Sequence, residues 1–172
     1  MSKFSSYFSD EFAALEQRSK DIDEILQDKM FLIGGDFYGI QKFIFDNLGS
    51  KNAAKVLRAK SAFCELFMVV LSKFICQKFS IDEKHILSCT AGKFEILSPK
   101  FDEATFKEIK GVVNAYFIKN FFGVSGVSLS CVECERADFM EPQRYKELRY
   151  NISKTVELEK FKKLNLKEQE PV

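Results

Sequence analysis

Apolar residues in the first stretch of the chain recur at spacings of mainly three, four and seven: Phe8, Phe12, Leu15, Ile22, Ile25 and Leu26. Such a stripe predicts an amphipathic helix from Phe8 to Leu26. The continuous run Met30-Phe31-Leu32-Ile33, closed by Gly34-Gly35, predicts a short strand buried on both faces. Gly39 to Phe45 fits a short helical turn, and Asn47-Leu48-Gly49-Ser50 is a loop signal. From Ala53 to Phe79 the residues Val56, Leu57, Phe63, Leu66, Phe67, Val70, Leu71, Phe74 and Ile75 predict a long, deeply buried helix. The period then shortens. His85 to Cys89 and Lys93 to Ser98 flank Thr90-Ala91-Gly92, a hairpin pattern. Asp102 caps a second helix with Phe106, Ile109, Val113, Phe117 and Phe121 on its inner face and Gly123 at its end. Val127 to Arg136 alternates, with Val127, Leu129 and Cys131 on one face and Ser128 and Ser130 on the other, which predicts a half-buried strand. Pro142 opens a charged helix whose apolar line is Tyr145, Leu148, Ile152, Val156 and Phe161.

The resulting order is helix, βαββαβ, helix. A βαββαβ core is the ferredoxin-like split βαβ unit, an α+β fold with two helices on one face of an antiparallel sheet. The natural divisions are 1–29 for the N-terminal helix, 30–140 for the core and 141–172 for the C-terminal helix and tail. A fold of this kind hosts many functions, so particular residues must decide.

Composition narrows the field. The 172 residues carry 26 Lys plus Arg against 25 Asp plus Glu, so the formal charge is +1 and any binding to nucleic acid needs a local patch. No apolar run approaches the roughly 18 residues that cross a bilayer. Acidic Asp10, Glu11 and Glu16 stand where a signal peptide would be apolar, so the expected location is the cytoplasm, with no membrane partner. Five cysteines, Cys64, Cys76, Cys89, Cys131 and Cys134, are expected to be reduced thiols. Phenylalanine is abundant, 19 residues with no Trp, and its spacing assigns it mainly to the core.

Two consecutive motifs carry a resemblance. Ile33-Gly34-Gly35-Asp36-Phe37-Tyr38-Gly39-Ile40-Gln41-Lys42-Phe43-Ile44-Phe45 is followed by Ala53-Ala54-Lys55-Val56-Leu57-Arg58-Ala59-Lys60-Ser61. Together they resemble the G-D-x-x-G-I-Q-x-F-I-F run and the A-A-K-x-L-R-x-[RK]-S helix of the large subunit of type III CRISPR effector complexes. Ile86 to Phe94 sits where that family has a Gly-rich hairpin. The resemblance covers about Phe31 to Phe139. It implies a nucleotidyl cyclase-like palm, the first of two that jointly make cyclic oligoadenylates from ATP in antiviral defence once target RNA is bound. The catalytic G-G-D-D hairpin belongs to the second palm. The implied partners are that second palm, other effector subunits, and guide and target RNA through the complex. With His85 as its only histidine, the chain shows no sign of the family's HD nuclease, and it reads as a piece of a longer protein or a compact relative.

Palms of this kind hold two Mg²⁺ ions with one acid at the end of the first strand and another in the hairpin. Asp36 fills the first position. Cys89-Thr90-Ala91-Gly92-Lys93 offers no acid for the second, and Glu95 lies two residues further along. No catalytic residue and no metal site are therefore expected in the chain alone, and Mg²⁺ would come only with the partner palm. The residues themselves leave Asp36 either as a turn or cap residue or in a nucleotide or metal role. Gly34, Gly35 and Gly39 leave backbone N–H groups open before a helix, an arrangement that suits phosphate or merely a tight turn. With the resemblance, the expected ATP contacts are Asp36, Phe37, Tyr38, Gly39, Gln41, Lys42, Gly92 and Lys93; by residue type alone Phe37 and Tyr38 pack either on a base or on the sheet, and Gln41 and Lys42 either reach phosphate or lie in solvent. Lys51, Lys55 and Arg58 share one face near a helix N-terminus, where cations oppose the macrodipole; they are either a patch for RNA or nucleotide phosphate or a solvated face. Lys60 is on the opposite side. Cys131-x-x-Cys134 lacks a second pair, and residues three apart on a strand point to opposite faces, so zinc is not expected. The paired-palm geometry implies a weak homodimer of the isolated domain. The alternative function is a non-catalytic RNA or protein interaction module of the same complex.

Overall fold

The computed structural model describes residues 3–46 and 52–162. Its elements are α1 (Lys3–Ile25), β1 (Met30–Tyr38), α2 (Ile40–Phe45), α3 (Ala53–Lys78), β2 (Ile86–Thr90), β3 (Lys93–Ser98), α4 (Glu103–Phe121), β4 (Gly126–Cys134), α5 (Arg136–Met140) and α6 (Pro142–Lys162). The four strands form one sheet in the order β2-β3-β1-β4 with every neighbouring pair antiparallel. That is the ferredoxin-like βαββαβ arrangement the element order predicts. The expected loop at Asn47 to Ser50 lies outside the described residues.

Helices α3 and α4 pack on one face of the sheet. Cys64, Met68, Leu71 and Ile75 of α3 and Phe106, Ile109, Val113 and Phe117 of α4 meet Ile33, Phe37, Phe94, Ile96, Val127 and Leu129. The α4 face matches its sequence pattern, and Asp102 caps it: its carboxylate accepts from the Thr105 N–H at 2.7 Å. The α3 face matches in part: Leu71 and Ile75 are buried, and Phe63, Phe67 and Phe74 pack against the core. Leu66, Val69 and Val70 are exposed while Cys64 and Met68 are buried, because a helix laid on one sheet face has a solvent side however apolar it is.

The opposite face is covered too. Leu148, Ile152 and Val156 of α6, with Ile25 and Leu26 at the end of α1, pack on Met30, Leu32, Leu97 and Cys134. This second layer overturns two expectations. The β4 serines predicted to face water are buried, Ser128 at 0% and Ser130 at 7% exposure, so β4 is covered on both faces. The apolar stripe of α1 docks only by its last turn: Phe12 and Leu15 are exposed, and the Phe8 side chain lies outside the described residues. Tyr145 and Phe161, at the two ends of the α6 line, are exposed as well.

Strand β1 also departs from its predicted end. It runs on through Gly34 and Gly35 to Tyr38, nine residues in all. These glycines mark close packing, not a turn. A Cβ on Gly34 would lie 2.9 Å from Ile152 Cγ1, and one on Gly35 would lie 2.3 Å from Phe94 Cε1. The missing side chains let α6 and the Phe94 ring approach the strand backbone. The true turn residue is Gly39, with φ +70 and a would-be Cβ 2.8 Å from the Val124 carbonyl oxygen.

Candidate functional site

Alternation along β1 sends Met30, Leu32, Gly34 and Asp36 toward α6, and Ile33, Gly35 and Phe37 toward α3 and α4. Asp36 stands opposite Lys93 of β3, and Gly34 stands opposite Glu95. Directly opposed residues of an antiparallel pair share a face, so Asp36, Lys93 and Glu95 all belong to the α6 side. From α6, Lys160 Nζ reaches Asp36 Oδ2 at 2.7 Å, and Arg149 pairs with Glu95. A cleft of about 170 Å³ opens here, lined among others by Asp36, Lys93, Glu95, Arg149, Glu157 and Lys160. Three carboxylates balance three cations, so the cleft carries no net charge.

The hairpin turn is docked on the end of β1. The Phe37 N–H donates to the Gly92 carbonyl at 2.8 Å, and Gly92, with φ +78, is buried against Phe37 and Ile40. The sequence therefore predicts correctly that the Asp36 and Gly92-Lys93 segments come together. Their side chains divide differently. Asp36 and Lys93 line the cleft. Phe37 is corrected to a core residue: it is 3% exposed and its ring lies 5.4 Å from that of Phe117 and 5.9 Å from that of Phe43, so no face is left for a base. Tyr38 is half-buried, its hydroxyl lying beside the Gly126 backbone, and burial raises its pKa. Gly39 serves the turn. Gln41 and Lys42 are exposed on α2, outside the cleft lining.

Lys51 lies outside the described residues. Lys55 and Arg58 are exposed on α3 and do not line the cleft. Lys60 fastens the end of α2 to α3, since its ammonium donates to the Asp46 carbonyl at 2.7 Å and sits 5.5 Å from the Phe43 ring centre. His85 is buried with Nδ1 2.6 Å from the Leu97 carbonyl oxygen, a structural contact between the start of β2 and β3. Cys131 belongs to the α3/α4 side and Cys134 to the α6 side, and burial pushes both thiols up to about 12.

Sequence reasoning missed the α6 contribution. Arg149, Ser153, Glu157 and Lys160 all line the cleft. Their spacing of four, four and three places them in one row beside Leu148, Ile152 and Val156, a legible signal for a shared face. Which strand that row meets is not written in the helix. For magnesium, the metal that the sequence resemblance implies, the donor set does not fit: Mg²⁺ needs several oxygen ligands in octahedral array. Here Asp36 and Glu95 are each neutralised by a cation, and among the described residues no three His, Cys, Asp or Glu side chains form a metal-binding set.

Comparison with known proteins agrees with this architecture. The family model for Csm1 subunit domain B matches residues 29–171. A curated relative is the CRISPR system single-strand-specific deoxyribonuclease Cas10/Csm1 (subtype III-A) of Enterococcus italicus, 27% identical over 145 residues, which are 83% of this chain and 19% of that protein. Among solved structures, the Csm1-Csm4 cassette in complex with pppApA superposes with a TM-score of 0.70 at 23% identity, covering 79% of this chain and 19% of that one. The same cassette with AMPPNP gives the same values. Csm1 in T. onnurineus gives 0.65 at 24% identity over 78% of this chain and 20% of its own. At such identities the likeness to these structures concerns the fold. The chain spans about a fifth of the length of these relatives. By its sequence match and its palm-like sheet, the chain belongs to the Csm1 subunit domain B family, a palm domain of the large subunit of type III CRISPR effectors.

Proposed function

We propose that this domain is a degenerate first palm that contributes half of a composite ATP site for cyclic oligoadenylate synthesis in antiviral defence. The observation that carries the reading is the docking of the Gly92-Lys93 turn on the Asp36 end of β1, which gathers a carboxylate and a lysine at one cleft. Structures of related Csm1-Csm4 cassettes with AMPPNP and with pppApA support nucleotide as the ligand. The second palm supplies the Mg²⁺ ions and the second ATP, since no acid occupies the β2–β3 turn here. Its other partners are a Csm4-type subunit and, through the complex, guide and target RNA, with Lys51, Lys55 and Arg58 as the phosphate-facing patch. The isolated domain forms at most a weak homodimer through the face that meets the second palm. Its place is the cytoplasm; no helix among the described residues is long and apolar enough to cross a membrane.

The second reading, a non-catalytic RNA or protein interaction module, is favoured by the size and neutrality of the cleft. Its 170 Å³ falls below the roughly 300–1,000 Å³ of ordinary ligand pockets. Chemical-shift mapping with AMPPNP separates the two. A half-site gives shifts clustered at the cleft-lining ends of β1 and β3, around Asp36 and Lys93, that weaken in Lys93→Ala. Shifts confined to Lys51, Lys55 and Arg58, with strong salt dependence, indicate a general anion patch. No shifts at ligand concentrations of about several millimolar put the interaction module ahead.

A further inference from the structure

The last turn of α6 is held to the rest of the fold by charge. Beyond Val156 the apolar anchorage stops, since Leu158 and Phe161 are exposed. Two ion pairs take over, from successive residues about 100° apart around the helix. Glu159 Oε2 lies 2.6 Å from Lys110 Nζ of α4, and Lys160 Nζ lies 2.7 Å from Asp36 Oδ2 of β1. The Asp36 and Lys160 side chains are only 17% and 30% exposed, so their ion pair compensates both charges for lost water. Lys93 is opposite Asp36 across the strand pair, and both lysines line the cleft, whose volume admits a phosphate group rather than a whole nucleotide.

We infer that Asp36 is an internal competitor for polyphosphate: it holds the Lys160 ammonium, and the phosphates of a nucleoside triphosphate take that ammonium over and release the last turn of α6. The inference rests on the half-site reading and assigns it a regulation. A neutral cleft gives a free polyphosphate little net attraction. Transfer of Lys160 from carboxylate to phosphate exchanges one charge-assisted hydrogen bond for another and frees Asp36 to face the partner palm. Nucleotide and α6 docking are thereby opposed, and a subunit that contacts the end of α6 alters phosphate affinity without touching the cleft.

The test is titration of the full chain with inorganic tripolyphosphate in EDTA, followed by amide shifts, for wild type, Asp36→Asn, Lys160→Gln and the double variant. Without metal, Asp36→Asn binds about three- to tenfold more tightly than wild type, the scale set by loss of one partly buried competing pair. Lys160→Gln binds more weakly, and the double variant matches Lys160→Gln. An Asp36→Asn variant no tighter than wild type overturns the proposal, and so does an equal gain in the Lys160→Gln background, which would be a general charge effect. A measurement on the unmodified chain covers the case of a misfolded variant: saturating tripolyphosphate raises hydrogen exchange over residues 157–162, and unchanged exchange there refutes the release. AMPPNP run in parallel separates the two levels. If it binds no better than tripolyphosphate while the order of variants holds, the adenosine half-site fails and the competition stands; AMPPNP shifts at residues 92–93 without that order give the reverse.

Discussion

The Phe37 N–H donates to the Gly92 carbonyl at 2.8 Å, and this bond seats the β2–β3 turn on the end of β1. The turn reaches that seat through two left-handed residues, Ala91 at φ +51 and Gly92 at φ +78. A side chain in this region costs about 1–2 kcal/mol. Gly92→Ala is therefore expected to lower stability by about 1–2 kcal/mol, more where its Cβ, 3.1 Å from Ile40 Cδ1, cannot be relieved. Ala91→Gly relieves the same strain but adds unfolded-state entropy, so its change stays within about 1 kcal/mol. Urea denaturation of both variants checks the contrast.

Gly35→Ala is expected to cost about 1–3 kcal/mol, the range for overpacking, because its Cβ would fall 2.3 Å from the edge of a fully buried ring. Gly34→Ala meets Ile152 Cγ1 at 2.9 Å and Val156 Cγ2 at 3.2 Å, so it pushes on α6 rather than on the central core. Thermal denaturation should rank Gly35→Ala as the more damaging, and the Gly34 variant should raise hydrogen exchange selectively in α6. Equal exchange across the chain would contradict the assignment of Gly34 to α6 packing.

Alkali should destabilise the domain through its thiols. Burial pushes Cys64 and Cys76 up to about 11 and Cys131 and Cys134 up to about 12, from an ordinary 9.0. The folded state therefore keeps protons that the unfolded chain gives up. Stability from this source is complete below pH 9 and falls as pH rises toward the folded values of 11–12. Equilibrium denaturation from pH 8 upward measures the fall, and Cys131→Ser with Cys134→Ser should flatten it relative to the starting stability of that variant.

Incubated with ATP and Mg²⁺, the purified chain is expected to yield neither cyclic nor linear oligoadenylate. The β2–β3 turn has no carboxylate to pair with Asp36, and Glu95, the nearest acid along β3, is held by Arg149. Chromatography of the reaction checks this. Product that disappears in Asp36→Ala would overturn the degenerate-palm assignment.

Much of the architecture is legible in the sequence because it rests on local periodicity. The split βαβ order, the Asp102 cap and the α4 face of Phe106, Ile109, Val113 and Phe117 follow from spacing alone. So does the meeting of the Asp36 and Gly92-Lys93 segments, once a resemblance supplies the strand order. Opposed faces for Cys131 and Cys134 come from the two-residue period of a strand.

What the tertiary structure decided is where α6 goes. Its apolar line announces that it must bury one face, but a helix does not encode which surface it covers. Docking on the free face of the sheet buries Ser128 and Ser130, turns Gly34 into a packing contact and brings Lys160 and Arg149 onto Asp36 and Glu95. The same layer order hides Phe37, whose motif neighbours suggested a ligand contact, because alternation from the buried Ile33 sends it into the α3/α4 core. Residue type and spacing fixed which faces exist along each element; long-range burial of the leftover apolar surface chose how those faces meet, and with it the charge and size of the cleft.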